Sequence, residues 1–193
     1  MKKEELIILL ILLAIVVVLL RLTGRRKKDT TRAGRLMKKY GHITREKLLS
    51  APEGELVDAV VCRVLAKAEE SRRPDPVRTL AELQHGSTVV YTVWAVCKEM
   101  ARGDFAALRH SATWELADRA AENFRGIGAT ACGDAWQALM EADDGQTAAA
   151  EEAFRRAVSA EQPLGLCEDY IRDHVEEFLD EDASPAPTGE TPA

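Results

Sequence analysis

The stretch STVVYTVWAVCKEM, Ser87 to Met100, decides the fold class. Its first half, Thr88 to Trp94, is rich in β-branched and aromatic residues, the types that favour strands. It runs on without a breaker into Ala95–Ala101, and the combined length suits a buried helix better than a strand. No second convincing strand exists elsewhere in the chain to pair with it. The stretch therefore reads as a helix, and the chain as all-α.

Working outward, that helix has to stop at Arg102-Gly103-Asp104, with Phe105 immediately behind. A turn that sets the fold explains this better than an active-site loop or an adhesive Arg-Gly-Asp tripeptide. On this reading Gly103 takes a left-handed conformation, Phe105 turns inward and Arg102 is dispensable. Beyond the turn, Ala117, Ala120, Ala121 and Phe124 repeat at i, i+3, i+4 and i+7, the period of an amphipathic helix. Gly126-Ile127-Gly128 closes that helix. Cys132, Ala135, Trp136 and Leu139 repeat the pattern, as do Ala150, Ala153, Phe154, Ala157 and Val158. A last helix carries Cys167, Tyr170, Ile171, Val175, Phe178 and Leu179. On the N-terminal side, Leu56 to Ala68 is apolar around most of its circumference, leaving Asp58, Arg63 and Lys67 outside. Ser50-Ala51-Pro52 reads as a helix start. Pro74-Asp75-Pro76 is a break, followed by a short helix over Val77–Leu83.

Charge divides the chain. Residues 1–50 hold 13 Lys+Arg against 4 Asp+Glu, and residues 51–193 hold 13 against 28; the balances of +9 and -15 make up the net -6 of the 193-residue chain. Leu6 to Leu20 is uninterrupted apolar sequence, long enough to span about 23 Å of a hydrocarbon core near 30 Å, with Leu22 and flanking basic side chains closing the gap. Arg25-Arg26-Lys27-Lys28 follows where a signal peptide would need a small-residue cleavage site. The segment reads as a transmembrane anchor over 1–22. A basic juxtamembrane linker over 23–43 would lie on anionic lipid, a helical domain would occupy 44–181, and 182–193 would form a disordered tail. The basic flank places the domain in the cytoplasm and the N-terminus outside the plasma membrane, as a single-pass protein.

Catalytic and metal templates find no match. His42, His85, His110 and His174 form no paired-ligand spacing, and no Walker-type, dinucleotide or nucleophile-elbow motif occurs. Cys62, Cys97, Cys132 and Cys167 recur every 35 residues without a C-x-x-C pair. The period is close to that of a tetratricopeptide, but the landmark residues of that repeat are out of register, so one buried thiol in each of several helices accounts for it. No enzyme activity, cofactor or metal is expected.

Glu99-Met-Ala-Arg-Gly103-Asp-Phe105, then Ser111, then a helix ending Ile127-Gly128-Ala129, resembles the domain-of-unknown-function family that contains an acidic bacterial DNA-mimic protein. Glu99, Gly103, Phe105, Ile127, Gly128 and Ala129 match the family's pattern. Arg102 and Asp104 depart from its usual turn, and Leu108 stands where aromatics are frequent. The likeness covers roughly residues 80–145. It implies an all-helical domain and, through the studied member, surface carboxylates that imitate DNA and occupy a DNA-binding protein.

The leading functional expectation is thus a membrane-anchored, non-enzymatic interaction module. Its partner would be a basic or DNA-binding protein, with no direct binding of nucleic acid. Two acidic clusters are the candidate docking residues: Glu141, Asp143, Asp144, Glu151 and Glu152, and Glu168, Asp169, Asp173, Glu176 and Glu177. A tetratricopeptide-like scaffold and an unrecognised hydrolase are the alternatives.

Overall fold

The computed structural model describes residues 31–71 and 75–180, and every regular element in that range is a helix. In chain order these are α1 (Arg32–Tyr40), α2 (Arg45–Leu49), α3 (Leu56–Glu70), α4 (Pro76–Thr79) running into a 3₁₀ turn Leu80–Glu82, α5 (His85–Arg102) and α6 (Phe105–Arg109). A 3₁₀ turn Ala112–Leu116 leads to α7 (Ala117–Gly126), α8 (Thr130–Glu141), α9 (Thr147–Glu161) and α10 (Pro163–Asp173), and a 3₁₀ turn Val175–Phe178 ends the fold. The expected anchor over 1–22 and tail over 182–193 lie outside the described residues, and among those described no helix is long and apolar enough to cross a membrane.

Helix α5 is the axis. It packs against α3 on one side and α7 on another, with the C-terminal 3₁₀ turn against its first turn. Val90, Val93 and Val96 are fully buried, and Val89 nearly so. Each β-branched residue costs a few tenths of a kcal/mol of helix propensity. Burying each valine returns about 1.5–3 kcal/mol, so tertiary packing decides in favour of the helix.

The helices are of unequal length, from 4 residues in α4 to 18 in α5. The fold is a bundle about a central helix, not a succession of equivalent helix pairs. The four cysteines nevertheless fall one each in α3, α5, α8 and α10, and Cys62, Cys132 and Cys167 are buried.

Two segments differ from the sequence reading. Residues 32–40, assigned to the juxtamembrane linker, form α1, which packs on α3 and buries Leu36 and Tyr40. The Tyr40 hydroxyl donates to Glu55 Oε2 at 2.9 Å, and Ile43 is fully buried, so the globular body begins before residue 44. Ser50 does not start a helix: Thr44 caps α2, Ser50 follows its last turn, and α3 begins only at Leu56.

Candidate protein-docking face

The turn after α5 is built by side chains from α9. Gly103 sits at φ -145°, ψ -152°, extended backbone and not the left-handed conformation expected of it. Its small size matters for contact instead, since a Cβ there would lie 3.1 Å from Ala107 Cβ. Asp104 accepts from the Ala107 amide at 2.7 Å and so caps α6. Glu151 reaches across from α9 to accept from the Phe105 amide at 3.1 Å. Arg155, one helical turn on, pairs with Glu151 at 2.8 Å and donates to the Gly103 carbonyl at 2.6 Å. Phe105 then turns into an edge-on aromatic cluster, 5.8 Å from Trp114 and 5.9 Å from Trp136, with Phe154 and Phe124 behind. Trp136 satisfies its buried indole N–H on the Ala117 carbonyl at 2.9 Å.

The remaining motif residues are also architectural. Ser111 accepts from the Thr113 amide and donates to the Leu108 carbonyl, setting the 3₁₀ turn. The carbonyl of Glu99 takes the Gly103 amide at the end of α5. The end of α7 is where a left-handed glycine is required: Gly128 has φ +85°. Its amide donates to the Arg125 carbonyl and the Ala129 amide to the Phe124 carbonyl, the paired bonds of a Schellman terminus. Ile127 and Ala129 go into the core behind it.

These arrangements redistribute the acidic residues. Glu151 is committed to the turn. In the C-terminal cluster, Glu168 is 8% exposed, accepts from the Gly54 amide at 3.1 Å and meets Arg172 at 3.4 Å. Asp169 pairs with Arg172, Glu176 with Arg45, and Glu177 accepts from the Tyr170 hydroxyl at 3.0 Å. Only Asp173 of that cluster makes no ion pair or side-chain hydrogen bond among the described residues. Arginines one turn away or on a facing element meet most of its charge, Asp169 and Glu176 in exposed pairs.

The first cluster is freer. Asp143 accepts from the Gly145 and Gln146 amides in the turn before α9, yet stays exposed. Glu141 holds only the side-chain amide of Gln137, at 3.0 Å. Glu152 has a long 4.0 Å contact to Arg156, with both side chains mostly exposed. Asp144 has no partner among the described residues. Beside this corner, α7 and α8 enclose a cleft of about 330 Å³ lined by Asp118, Ala121, Glu122, Arg125, Trp136, Gln137 and Met140. Asp118 and Glu122 stand on its rim without ion pairs among the described residues, while Arg125 is held by Asp134 and Gln137. Gln137 connects this rim to Glu141. Asp118 and Glu122 were legible in the sequence as the polar face of α7, but not as part of the docking set, because they join it only when α8 folds alongside.

Burial disfavours the thiolate form of all four cysteines. Burial pushes Cys62 up to about 11 and Cys97 up to about 12, and Cys132 and Cys167 are raised as well. His42 Nδ1 lies 2.7 Å from Asp180 Oδ2, and His42 Nε2 has no hydrogen-bond partner among the described residues. No group of three His, Cys, Asp or Glu among the described residues could hold a metal ion. Comparison of the chain with protein-family models, curated proteins and solved structures returned no match.

Proposed function

We propose that the protein is a membrane-tethered, non-enzymatic docking module whose α7–α8 face and α8–α9 corner receive a basic protein. The observation that carries this reading is the set of exposed carboxylates left without cationic partners there. Asp118 and Glu122 line a cleft with Trp136 and Met140, and Glu141 and Asp144 stand exposed at the neighbouring α8–α9 corner. A long basic side chain suits it: the aliphatic stem covers the apolar floor and the cationic head meets the rim carboxylates. Across residues 111–161 there are 10 Asp+Glu against 4 Lys+Arg, and Arg125 and Arg155 are bound to Asp134 and Glu151. Tethering rests on the apolar run Leu6–Leu20 and the basic residues behind it. A DNA-binding protein is the partner class that the DNA-mimic resemblance favours, since duplex DNA presents about one negative charge per 1.7 Å.

The test is capture of partners by the full-length chain in mild detergent at 50 and 300 mM salt, with wild type beside D118N/E122Q and E141Q/D144N. Exposed charges reach only about 8 Å at 0.15 M salt. A partner on this face is lost at high salt and weakened by both pairs of substitutions, with melting temperatures unchanged. A partner indifferent to salt and to all four substitutions sinks the assignment.

A further inference from the structure

Away from the docking face, a polar cavity of about 400 Å³ opens where α3, the start of α5 and the C-terminal 3₁₀ turn meet. Its wall includes His42, Arg63, Lys67, Gln84, Ser87 and Asp180. Arg63 was expected outside; it is 8% exposed. Its Nε and Nη2 both reach Asp180 Oδ1 at 2.6 Å. Asp180 Oδ2 accepts from the Ile43 amide at 2.8 Å and faces His42 Nδ1. That carboxylate is therefore saturated with donors, while Arg63 Nη1 has no partner among the described residues. Lys67 has only a 4.0 Å contact to the exposed Glu82.

Two features point to what fills the cavity. Helix α5, 18 residues long, starts here with Gln84 at its N-cap position and no side chain capping its first amides. Those amides carry the positive end of the helix dipole. Second, Ser87 is 2% exposed and lines the cavity, yet its hydroxyl has no hydrogen-bond partner among the described residues. The hydroxyl opens to the cavity, where a ligand oxygen would accept from it. The close seat of the C-terminal turn also depends on this helix start: a Cβ on Gly86 would fall 2.7 Å from Phe178 Cζ.

We propose that this cavity binds a phosphate group, held by the first turn of α5, the Ser87 hydroxyl, Lys67 and the free edge of Arg63. Helix starts combined with Lys and Arg side chains are matched to tetrahedral oxyanions, and Arg presents a planar fork to them. The volume leaves room for a small group esterified to the phosphate. The phosphate can belong to a soluble phosphomonoester or to a lipid headgroup.

The full-length chain in non-ionic detergent is titrated with inorganic phosphate, with sodium chloride at matched ionic strength as control. Binding raises the melting temperature by about 3 °C or more at saturation. It also produces saturable amide shifts at Gly86 and Ser87 that chloride does not. Ser87→Ala and Lys67→Gln, which leave the Arg63–Asp180 pair in place, each weaken phosphate binding about tenfold. Phenyl phosphate and vesicles containing phosphatidic acid then separate the two sources, the productive arm being the one that competes with inorganic phosphate. If either variant does not fold, the wild-type amide shifts decide. Shifts that follow ionic strength alone, or variants that bind phosphate as wild type does, overturn the proposal.

Discussion

Replacing Glu151 gives a graded test of the turn after α5. In the folded protein this carboxylate accepts from the Phe105 amide at 3.1 Å and fixes Arg155, which donates to the Gly103 carbonyl at 2.6 Å. Glu151→Gln keeps an oxygen for Phe105 but discards the charge, so it should cost about 0.5–1 kcal/mol. Glu151→Ala leaves a partly buried amide unpaired and frees Arg155, for a loss of about 2–3 kcal/mol. For a helical body of this size that is a fall of about 5–10 °C in melting temperature. Arg155→Ala removes the pair with Glu151 and the bond to the Gly103 carbonyl and should cost about 1–2 kcal/mol, and the double variant should lose less than the sum, because the pair acts on one turn. Urea unfolding followed by circular dichroism reads all four variants beside wild type. If Glu151→Ala unfolds within 0.5 kcal/mol of wild type, as a solvated surface acid would, the clamp is not holding the turn.

Phe105→Ala should cost about 3–5 kcal/mol by emptying the space between Trp114 and Trp136, whereas Arg102→Ala, which removes only an exposed 3.8 Å pair with Glu99, should change stability by less than about 1 kcal/mol in the same assay. Gly128→Ala forces a side chain into the left-handed region and should cost about 1–2 kcal/mol; Gln162→Gly, at a left-handed position held by a non-glycine residue, φ 48°, should be neutral or stabilising. Glu161 caps α8 from the end of α9. Burial alone would raise its carboxyl, but donation from the Ala131 and Cys132 amides at 2.9 and 2.8 Å outweighs this and holds it below the usual carboxylate value. A carboxyl depressed in the folded state stabilises it above the unfolded-state pKa and stops doing so as pH falls through the folded value. Glu161→Gln should therefore lower stability at pH 7 and flatten the acid limb of a melting-temperature profile below about pH 4.

Where periodicity carried the information, the sequence was a sufficient guide: α7, α8 and α9 stand where apolar residues recur every three to four positions, α5 stands where an unbroken run was too long for a strand, and Phe105 points inward as its place behind a helix stop implies. What escaped was pairing at long range. Arg63 was placed outside because charge on a helix normally means solvent, and nothing within a helical turn of it announces Asp180. Glu151 and Glu168 read as free acids for the same reason: their backbone acceptor roles depend on amides 46 and 114 residues away. Gly103 was assigned the left-handed turn by its position after a helix, yet the chain there leaves extended, and the helix that ends on a left-handed glycine is α7, at Gly128. Residues 32–40 looked polar enough for a linker because Leu36 and Tyr40, the two large side chains α1 buries, are too few to show a period.

The Arg63–Asp180 pair has a further consequence for how the protein comes into being. Its two halves are 117 residues apart, so on a ribosome adding about 5–20 residues per second Asp180 is made roughly 6–23 seconds after Arg63. Through that interval the valine-rich α3 and α5 are complete and ready to bury their faces, while the guanidinium between them has no counter-charge. Sealing it alone would cost several kcal/mol. The nascent chain must then either hold α3 open to water or wait, and the bundle closes only when its final turn emerges.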